Sequence, residues 1–467
     1  MSGNPMTGRS SRRSFLEAAG GLLAVAGATQ LTTAGSQQPV RTAVIGTGAR
    51  GSDLLRALTT IQGCEVVAIA DDYAPHLERG AKYAGPQAKT YSDYRKLLAE
   101  AKPQAVVIAV PLYLHYQVAS DAVAAGCDVF LEKTMCYSVA ECRKLAAEVE
   151  QAKCVFQVGL QRRANPIYQQ AVAMVKAGVI GQVSAIKSQW HRNNNWRRPV
   201  PVPKGDAKYG ELEHRLNWRL YQRYSQGLMA ELGSHQMDVA NWVLGNTPQR
   251  VIASGGIDYW QDGREVHDNV FCIYDYELPQ RETAPAGAGA SAARGAGFQP
   301  AKNTAGEPSG NGESSAAPGL PRSGGPRYTV RVTYSSLCNN AYEGAAELIL
   351  GTKGSLFLTT TKGLFYREQL PDDPAWLKPG DAGNAAVLTA GKTLKMSNSP
   401  WAHRGEPLEI DLLESDDTRD ELVSFLDHVR TRDPKTICDV HEGRRDAATI
   451  LMANAALESG GPVEYPA

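Results

Sequence analysis

The sequence predicts an α/β protein of two domains: an N-terminal doubly wound parallel sheet, then a C-terminal α/β domain with an open, mainly antiparallel sheet. Two observations predict this class. Between residues 40 and 160, short apolar runs alternate with amphipathic helical stretches, as a doubly wound sheet requires. From residue 161 to 467 the pattern changes: the run at 183–190 alternates like a strand, and further strand-like runs indicate a second, largely antiparallel sheet.

Each element of the first domain follows from its own apolar pattern. Right-handed crossovers bring the carboxyl ends of parallel strands to one edge of the sheet, and ligands are expected at that edge. Strands are predicted at residues 42–45, 65–70, 105–110, 129–131 and 155–158, with helices at 52–60, 91–101, 115–125 and 138–151.

The second domain is interrupted by a low-complexity insert at residues 281–327. Of these 47 residues, 32 are Gly, Ala, Pro or Ser. The segment has too little apolar surface for burial to compensate for the conformational entropy it would lose on folding. We therefore expect a disordered loop there. Around it we predict helices at 165–177, 421–430 and 444–457, and strands at 183–190, 251–255, 270–278, 328–337, 346–350 and 355–359.

A glycine-rich turn, G-x-G-x-x-G, follows the first predicted strand. Gly46 would make the tight turn, Gly48 would let a pyrophosphate approach the backbone, and Gly51 would let helix and strand pack closely. The helix N-terminus, which includes Ala49 and Arg50, presents free N–H groups to an anion. The pattern predicts a dinucleotide site; the alternative is a glycine turn that binds no ligand.

Asp71 indicates which dinucleotide is bound. It ends the second strand, where a carboxylate accepts hydrogen bonds from the adenosine ribose hydroxyls. The same carboxylate would repel the 2′-phosphate of NADP, and no arginine or lysine stands directly beside it in the sequence. The sequence therefore predicts NAD, with NADP disfavoured.

Two further groups of residues suit proton transfer. Lys133 follows Glu132 at the end of a parallel strand, where burial would lower its pKa and let it polarise or protonate a substrate oxygen. Glu231, His235 and Asp238 are spaced i, i+4 and i+7, which places them on one helical face, so that either carboxylate can orient the imidazole as a general base. The alternatives are a surface Glu–Lys pair, a buried structural histidine pair, or a metal site; no second ligand cluster supports a metal.

At these residues the chain resembles the Gfo/Idh/MocA family of NAD(P)-dependent oxidoreductases, which includes glucose–fructose oxidoreductase and inositol dehydrogenase. The resemblance extends from Arg41 to the C-terminus, apart from the insert, and implies a Rossmann domain before the open-sheet domain. This chain departs from the family's E-K-P and D-x-x-x-H-x-x-D patterns at Thr134 and Glu231. The resemblance implies that the cofactor contacts the glycine loop, Asp71, Pro111, His115, Glu132 and Lys133. It also implies that the catalytic residues are Lys133, Glu231, His235 and Asp238.

Trp190, Arg192 and Asn193 lie where the strand at 183–190 runs into a polar, aromatic loop. In the family this strand borders the active site. Aromatic faces beside amide and guanidinium groups suit a sugar ring, and arginines can also bind a carboxylate. We therefore expect these residues to contact the substrate; the alternative is a packing or oligomer-contact loop.

The N-terminus carries a twin-arginine pattern. Arg12 and Arg13 precede Phe15, Leu16 and a mild apolar run, so residues 1–34 are expected to be an export signal rather than part of the fold. This pathway exports folded proteins, often with cofactor bound, which predicts a periplasmic or otherwise exported enzyme that retains its NAD. The alternative is a disordered arginine-bearing tail.

The composition of the chain argues against some classes of binding partner. The chain has 49 basic and 49 acidic residues, and this balance gives no basic field for nucleic acid. Beyond the N-terminus no apolar run approaches the ~20 residues of a membrane span. Eight cysteines without a C-x-x-C motif are expected to be mostly buried thiols.

The sequence thus predicts an exported, homo-oligomeric enzyme, a dimer or tetramer. It would transfer hydride between NAD and a carbinol carbon of a sugar, sugar derivative or cyclitol. Two alternatives share the fold: an NAD-assisted glycoside hydrolase and a non-catalytic NAD-bound carbohydrate sensor.

Overall fold

The computed structural model describes residues 38–279, 327–368, 405–408 and 415–466. The expected export signal at residues 1–34 lies outside the described residues, as does the expected insert at 281–327 apart from its last residue. Among the helices that the structure describes, none combines the length and the apolar character needed to cross a membrane.

The first sheet has six parallel strands within the described residues, in the order β3-β2-β1-β4-β5-β6. The strand order reverses beside β1 and β4, the switch point at which open α/β sheets bind ligands. This confirms the predicted doubly wound sheet. The strands are β1 Val40–Ile45, β2 Cys64–Ala70, β3 Lys89–Tyr91, β4 Ala105–Ile108, β5 Asp128–Glu132 and β6 Phe156–Gly159.

Five helices connect these strands. The sequence pattern missed β3 and α2 because both elements bury very few residues: β3 has no buried residue, and α2 fully buries only Gly80. The helices are α1 Ala49–Leu58, α2 Ala74–Ala84, α3 Tyr94–Ala101, α4 His115–Ala124 and α5 Val139–Ala152.

The second sheet has nine strands in the described ranges, in the order β14-β13-β12-β11-β7-β10-β9-β8-β15. β7 and β10 are parallel, whereas the other neighbours are antiparallel, which confirms a mainly antiparallel sheet. The strands are β7 Val183–Asn193, β8 Arg250–Gly256, β9 Asn269–Pro279, β10 Arg327–Leu337, β11 Asn339–Gly351, β12 Gly354–Thr359, β13 Lys362–Arg367, β14 Glu406–Pro407 and β15 Val463–Glu464.

Three helices of the second half, α6 Pro166–Lys176, α8 Ser234–Leu244 and α10 Val440–Ser459, share one apolar core with this sheet. A short helix, α7 Tyr209–Leu216, was not predicted. All eight cysteines are free and seven are buried, which confirms the expectation of buried thiols.

Helix α9, Asp417–Thr431, packs on the first sheet although it lies near the C-terminus. Its buried apolar side chains form one cluster with those of β1 and α1, and the rings of Phe425 and Phe130 meet edge to face at 5.8 Å. A helix from the second half of the chain therefore completes one face of the first sheet.

Candidate functional site

A cavity of about 780 Å³ opens at the carboxyl edge of the first sheet, and residues of both halves of the chain form its wall. This is the edge where the strand topology predicted a ligand. The structure brings eleven of the predicted site residues onto this wall: Gly46, Gly48, Ala49, Arg50, Asp71, Pro111, His115, Glu132, Lys133, Glu231 and His235.

The three glycines of the loop differ in what an added Cβ atom would contact. Gly46 has φ +88°, and a Cβ there would lie 2.6 Å from the carbonyl oxygen of Ala109. A Cβ on Gly51 would lie 1.8 Å from the carbonyl oxygen of Gly46. On Gly48 it would meet only the His76 ring, at an ordinary 3.7 Å. The protein itself therefore leaves the space over Gly48 open.

That open space suits a pyrophosphate. Gly48 is the N-cap of α1 and has no side-chain cap bond, so the first N–H groups of the helix have no cap within the described residues and are available to an anion. The loop thus has the cradle that a dinucleotide needs.

Asp71 lies beside this loop, directly after β2. Its carboxylate accepts hydrogen bonds from the backbone N–H of Thr47 at 2.7 Å and of Tyr73 at 2.9 Å, and His76 Nδ1 is 3.6 Å away. Burial disfavours the charge, but the bonds from His76, Tyr73 and Thr47 outweigh it and lower the pKa of Asp71. The residue is therefore an anionic acceptor on the cavity wall beside the glycine loop.

The Arg50 side chain binds residues of β5 and α9. Its guanidinium group binds Glu132 at 2.6 Å, and Thr418 and Glu421 of α9 at 2.8 Å each. Through one bond from each guanidinium nitrogen, the side chain fixes the Glu132 strand end to α9.

Lys133 reaches from the end of β5 to the second half of the chain. Its Nζ donates to the carbonyl oxygen of Glu231 at 2.6 Å and to that of Ala230 at 3.2 Å. Burial lowers its pKa, although the charges of Glu231 and Glu132 oppose this effect. Since an ammonium has three donors, one N–H remains for a ligand in the cavity.

Thr134, which replaces the family's proline, has a role that proline cannot fill. Its hydroxyl donates to the carbonyl oxygen of Ala230 at 3.1 Å and lies 2.9 Å from Ser234 Oγ. Its own carbonyl oxygen is 2.8 Å from His115 Nδ1, while His115 Nε2 is 3.0 Å from the carbonyl oxygen of Val110. Thr134 and His115 thus hold the Lys133 turn, and each imidazole nitrogen of His115 faces a backbone carbonyl oxygen, one of which accepts the ring N–H.

The predicted common face of Glu231, His235 and Asp238 is wrong for Asp238. Residues Met229–Gly233 form a π-helix, whose wider turn rotates α8 relative to Glu231. Asp238 therefore lies off the cavity wall, where Arg163 Nη2 binds its carboxylate at 2.7 Å. The Glu231 carboxylate binds Arg219 Nε at 2.7 Å. Neither carboxylate orients His235.

His235 faces the cavity and is 6% exposed. Its imidazole makes no hydrogen bond to any residue that the structure describes, and its ring packs against Trp190 with 5.4 Å between centroids. Burial, followed by the charges of Lys133, Arg162 and Arg50, holds its pKa well below the usual value. The ring is therefore neutral, with a nitrogen free to accept a proton.

The predicted substrate residues lie elsewhere. Trp190 packs behind His235, Arg192 stacks on Trp196 at 3.7 Å, and Asn193 is exposed opposite Asn339 at the end of β7. The physical reason is that β7 continues through Asn193, so pairing with the neighbouring strands fixes these side chains away from the cavity wall.

The sequence reasoning missed the cavity residues of the segment that follows, residues 194–226, which we call the strap. A repeated tripeptide was the available signal: Asn-Trp-Arg occurs at 195–197 and again at 217–219. In the second copy the Arg219 guanidinium stacks on Trp218 at 4.3 Å while its Nε binds Glu231. The strap residues on the wall are Arg198, Glu211, His214, Arg215, Leu216, Trp218, Arg219 and Tyr224.

The strap also returns to the first sheet. Arg215 binds Asp72 at 2.7 Å, and the rings of Tyr224 and Tyr113 are 5.0 Å apart. The Tyr137 hydroxyl donates to the carbonyl oxygen of Gln222. The cavity is thus bridged by contacts beside Asp71. Within the described part of the chain, no group of three His, Cys, Asp or Glu side chains is arranged to hold a metal ion.

Comparison with curated proteins identifies partial relatives. Inositol 2-dehydrogenase of Salmonella typhimurium (strain LT2) is 30% identical over 190 residues, which cover 40% of this chain and 56% of the relative. That of Gluconacetobacter diazotrophicus is 35% identical over 188 residues, covering 39% and 54%. The chain thus spans about half the length of these relatives.

Solved structures share the fold at low identity. Levoglucosan dehydrogenase in complex with NADH superimposes with a TM-score of 0.61 at 16% identity, over 92% of this chain and 100% of that chain. Myo-inositol 2-dehydrogenase from Lactobacillus plantarum gives a TM-score of 0.59 at 15% identity, over the same shares.

Two family models match the chain. Residues 40–160 match the oxidoreductase family with an NAD-binding Rossmann fold, and residues 168–283 match the GFO/IDH/MocA C-terminal domain. Together they cover just over half of the 467 residues. The chain belongs to the Gfo/Idh/MocA oxidoreductase family.

Proposed function

We propose that this protein is an NAD-dependent oxidoreductase that transfers a hydride between NAD and a carbinol carbon of a sugar, sugar derivative or cyclitol. The observation that carries the proposal is that Lys133 and His235 share one cavity with the Gly48 cradle. The partial relatives that act as inositol 2-dehydrogenases support the substrate class.

The residues present fit the dinucleotide. The uncapped start of α1 and the open space over Gly48 would hold the pyrophosphate, and Asp71 would accept hydrogen bonds from the adenosine ribose. An anionic Asp71, whose pKa is lowered, favours NAD over NADP. When bound, the nicotinamide ring supplies the hydride acceptor or donor.

The chain's own residues handle the proton. The remaining N–H of Lys133 donates to the carbinol oxygen and stabilises the charge that develops on it. The neutral ring of His235 accepts the hydroxyl proton during oxidation and returns it during reduction. Glu231 acts indirectly, because it fixes Arg219, whose other N–H groups and the Trp218 face would hold the sugar.

Purified protein tests the proposal in two steps. Denaturation should release NAD or NADH, and a panel of sugars and cyclitols should change the NADH absorbance. Lys133→Met should abolish that change but keep the nucleotide, whereas Lys144→Met, at an exposed position of α5, should behave like the wild type. No bound nucleotide and no NAD(H) binding would refute the proposal.

Two outcomes would instead support the alternatives. Release of the aryl alcohol from an aryl glycoside without added cofactor would indicate an NAD-assisted hydrolase. A binding-dependent function that survives Lys133→Met would indicate a sensor.

We also propose that the twin-arginine pattern exports the folded protein with NAD retained. The strap supports retention, because its contacts with Asp72 and Tyr113 bridge the cavity near the adenosine end. Arg12→Lys combined with Arg13→Lys should leave the protein in the cytoplasm on cell fractionation, while the exported wild type should contain NAD. Unchanged export of the double variant would refute this route.

We further propose a homo-oligomer that associates through the second sheet. Ile252 and Ile273 are cross-strand partners on β8 and β9, and with Phe271 they remain between 42% and 50% exposed. A second copy of the chain would bury this apolar face. Light scattering should give a dimer or tetramer, and Phe271→Glu should shift it toward monomer.

A further inference from the structure

The back of His235 is covered by Trp190 of β7. The two ring centroids are 5.4 Å apart with an interplanar angle of 45°, while His235 but not Trp190 lines the cavity. Ser336 of β10 donates from its hydroxyl to the Trp190 carbonyl oxygen at 3.0 Å, which fixes the backbone of this residue. The catalytic candidate therefore rests on an aromatic side chain anchored in the second sheet.

A buried cation also contacts Trp190. The Arg162 guanidinium lies 5.6 Å from the Trp190 ring centroid and 5.4 Å from that of Tyr168. Arg162 is 3% exposed and is ion-paired with Glu347, which is fully buried and also accepts a bond from the Tyr168 hydroxyl at 2.7 Å. In the amide orientation that satisfies both its atoms, Gln236 accepts from Arg162 at 2.9 and 3.0 Å. Arg162 is thus held rigidly from three directions.

The carboxylates that usually orient a catalytic histidine are both committed. Glu231 binds Arg219, and Asp238 binds Arg163. We propose that Trp190, fixed by Arg162, is the positioning residue of His235, so that an aromatic contact and a buried arginine set the imidazole orientation in place of a carboxylate. The assignment rests on the proposed function, in which His235 moves the substrate proton.

The charges around His235 agree with this assignment. Lys133 from the end of β5, Arg162 from the turn after β6, and Arg50 from α1 all disfavour a positive charge on the ring. Glu231 is the nearby anion of the π-helix, and its charge is balanced by Arg219 and Lys133. Together with burial, these cations keep the imidazole neutral, with its pKa well below the usual value.

Trp190→Leu tests the proposal because it removes the aromatic contact and admits water behind the ring. Protein labelled at its nine histidines allows the pKa of His235 to be followed by NMR without any substrate, with His235→Asn assigning the signal. We expect the pKa of His235 to rise by about one unit or more in Trp190→Leu, because desolvation is relieved. The acid limb of the kcat/KM–pH profile should move to higher pH with it, and kcat should fall by about tenfold.

Trp242→Leu is the matched control. This tryptophan of α8 stacks on Arg163 at 5.5 Å, in the same kind of contact but away from His235. The control should leave the His235 titration unchanged. Identical titration in Trp190→Leu and the wild type would overturn the proposal. If Trp190→Leu does not fold, Trp190→Phe decides by the same titration, since the smaller ring should still give a measurable rise. The titration does not require catalytic activity. It therefore tests the role of Trp190 independently of the activity assays that test the proposed function.

Discussion

Replacing Gly48 with alanine should abolish dinucleotide binding without weakening the fold. Gly51→Ala, in contrast, should weaken the fold. Among the described residues, a Cβ on Gly48 meets only the His76 ring, at an ordinary 3.7 Å, and its φ of −59° lies outside the left-handed region that favours glycine. The free energy of unfolding should therefore stay within about 1 kcal/mol of the wild type. The methyl group would occupy the space proposed for the pyrophosphate and weaken NAD binding at least ~100-fold, which is ~2.7 kcal/mol.

Gly51→Ala is the matched control for the loop. Its Cβ would lie 1.8 Å from the backbone oxygen of Gly46, so strand and helix must separate. We expect a loss of about 3 kcal/mol in the free energy of unfolding. Urea unfolding of nucleotide-free protein and calorimetric titration with NAD measure both quantities. If Gly48→Ala bound NAD as tightly as the wild type, the cradle would be refuted; if Gly51→Ala were fully stable, the steric argument would be wrong.

Three further predictions concern the charges around the cavity. Arg50→Met should lower the free energy of unfolding in urea by about 3–5 kcal/mol at neutral pH, because two buried carboxylates lose their shared cation. The loss should be smaller in acid, where a carboxylate can protonate. An equal loss at both pH values would contradict this prediction. Because the pKa of Asp71 is lowered in the folded state, its stabilising effect is present above its unfolded value of ~3.9 and lost as the pH falls further. Asp71→Asn should therefore flatten the stability–pH curve below about pH 4 and weaken NAD binding, as unfolding and titration experiments would show. Arg215→Ala combined with Tyr224→Ala should speed NAD release by about tenfold in stopped-flow fluorescence, since one exposed ion pair and one ring contact are lost, while Arg250→Ala on β8 should have no effect.

The features that could be predicted are those encoded within a short window. The parallel sheet follows from apolar runs of a few residues, and the glycine loop follows from six consecutive positions. Both depend on backbone geometry that neighbouring residues determine. Lys133 could be placed for the same reason, since the end of a parallel strand fixes the edge of the sheet at which it lies.

The surroundings of His235 could not be predicted in this way. Its contact with Trp190 joins a strand to a helix distant in sequence, and the π-helical turn that rotates Asp238 off the cavity wall has no periodic signature. The i, i+4, i+7 spacing assumed a regular α-helix. The strap residues were missed because their order comes from contacts with Asp72 and Tyr113 in the first domain, not from a local pattern.

The packing of α9 on the first sheet has a consequence for biosynthesis. Leu422, Phe425 and Leu426 of α9 complete the apolar cluster that β1 and α1 begin, and two of the three side-chain bonds of Arg50 go to Thr418 and Glu421 of this helix. During translation the nucleotide loop is therefore synthesised long before α9, the helix that packs against it. A nascent chain that ends at the family's Rossmann boundary would expose an unfinished face to the cell. The competent NAD site should consequently form only after α9 has emerged from the ribosome.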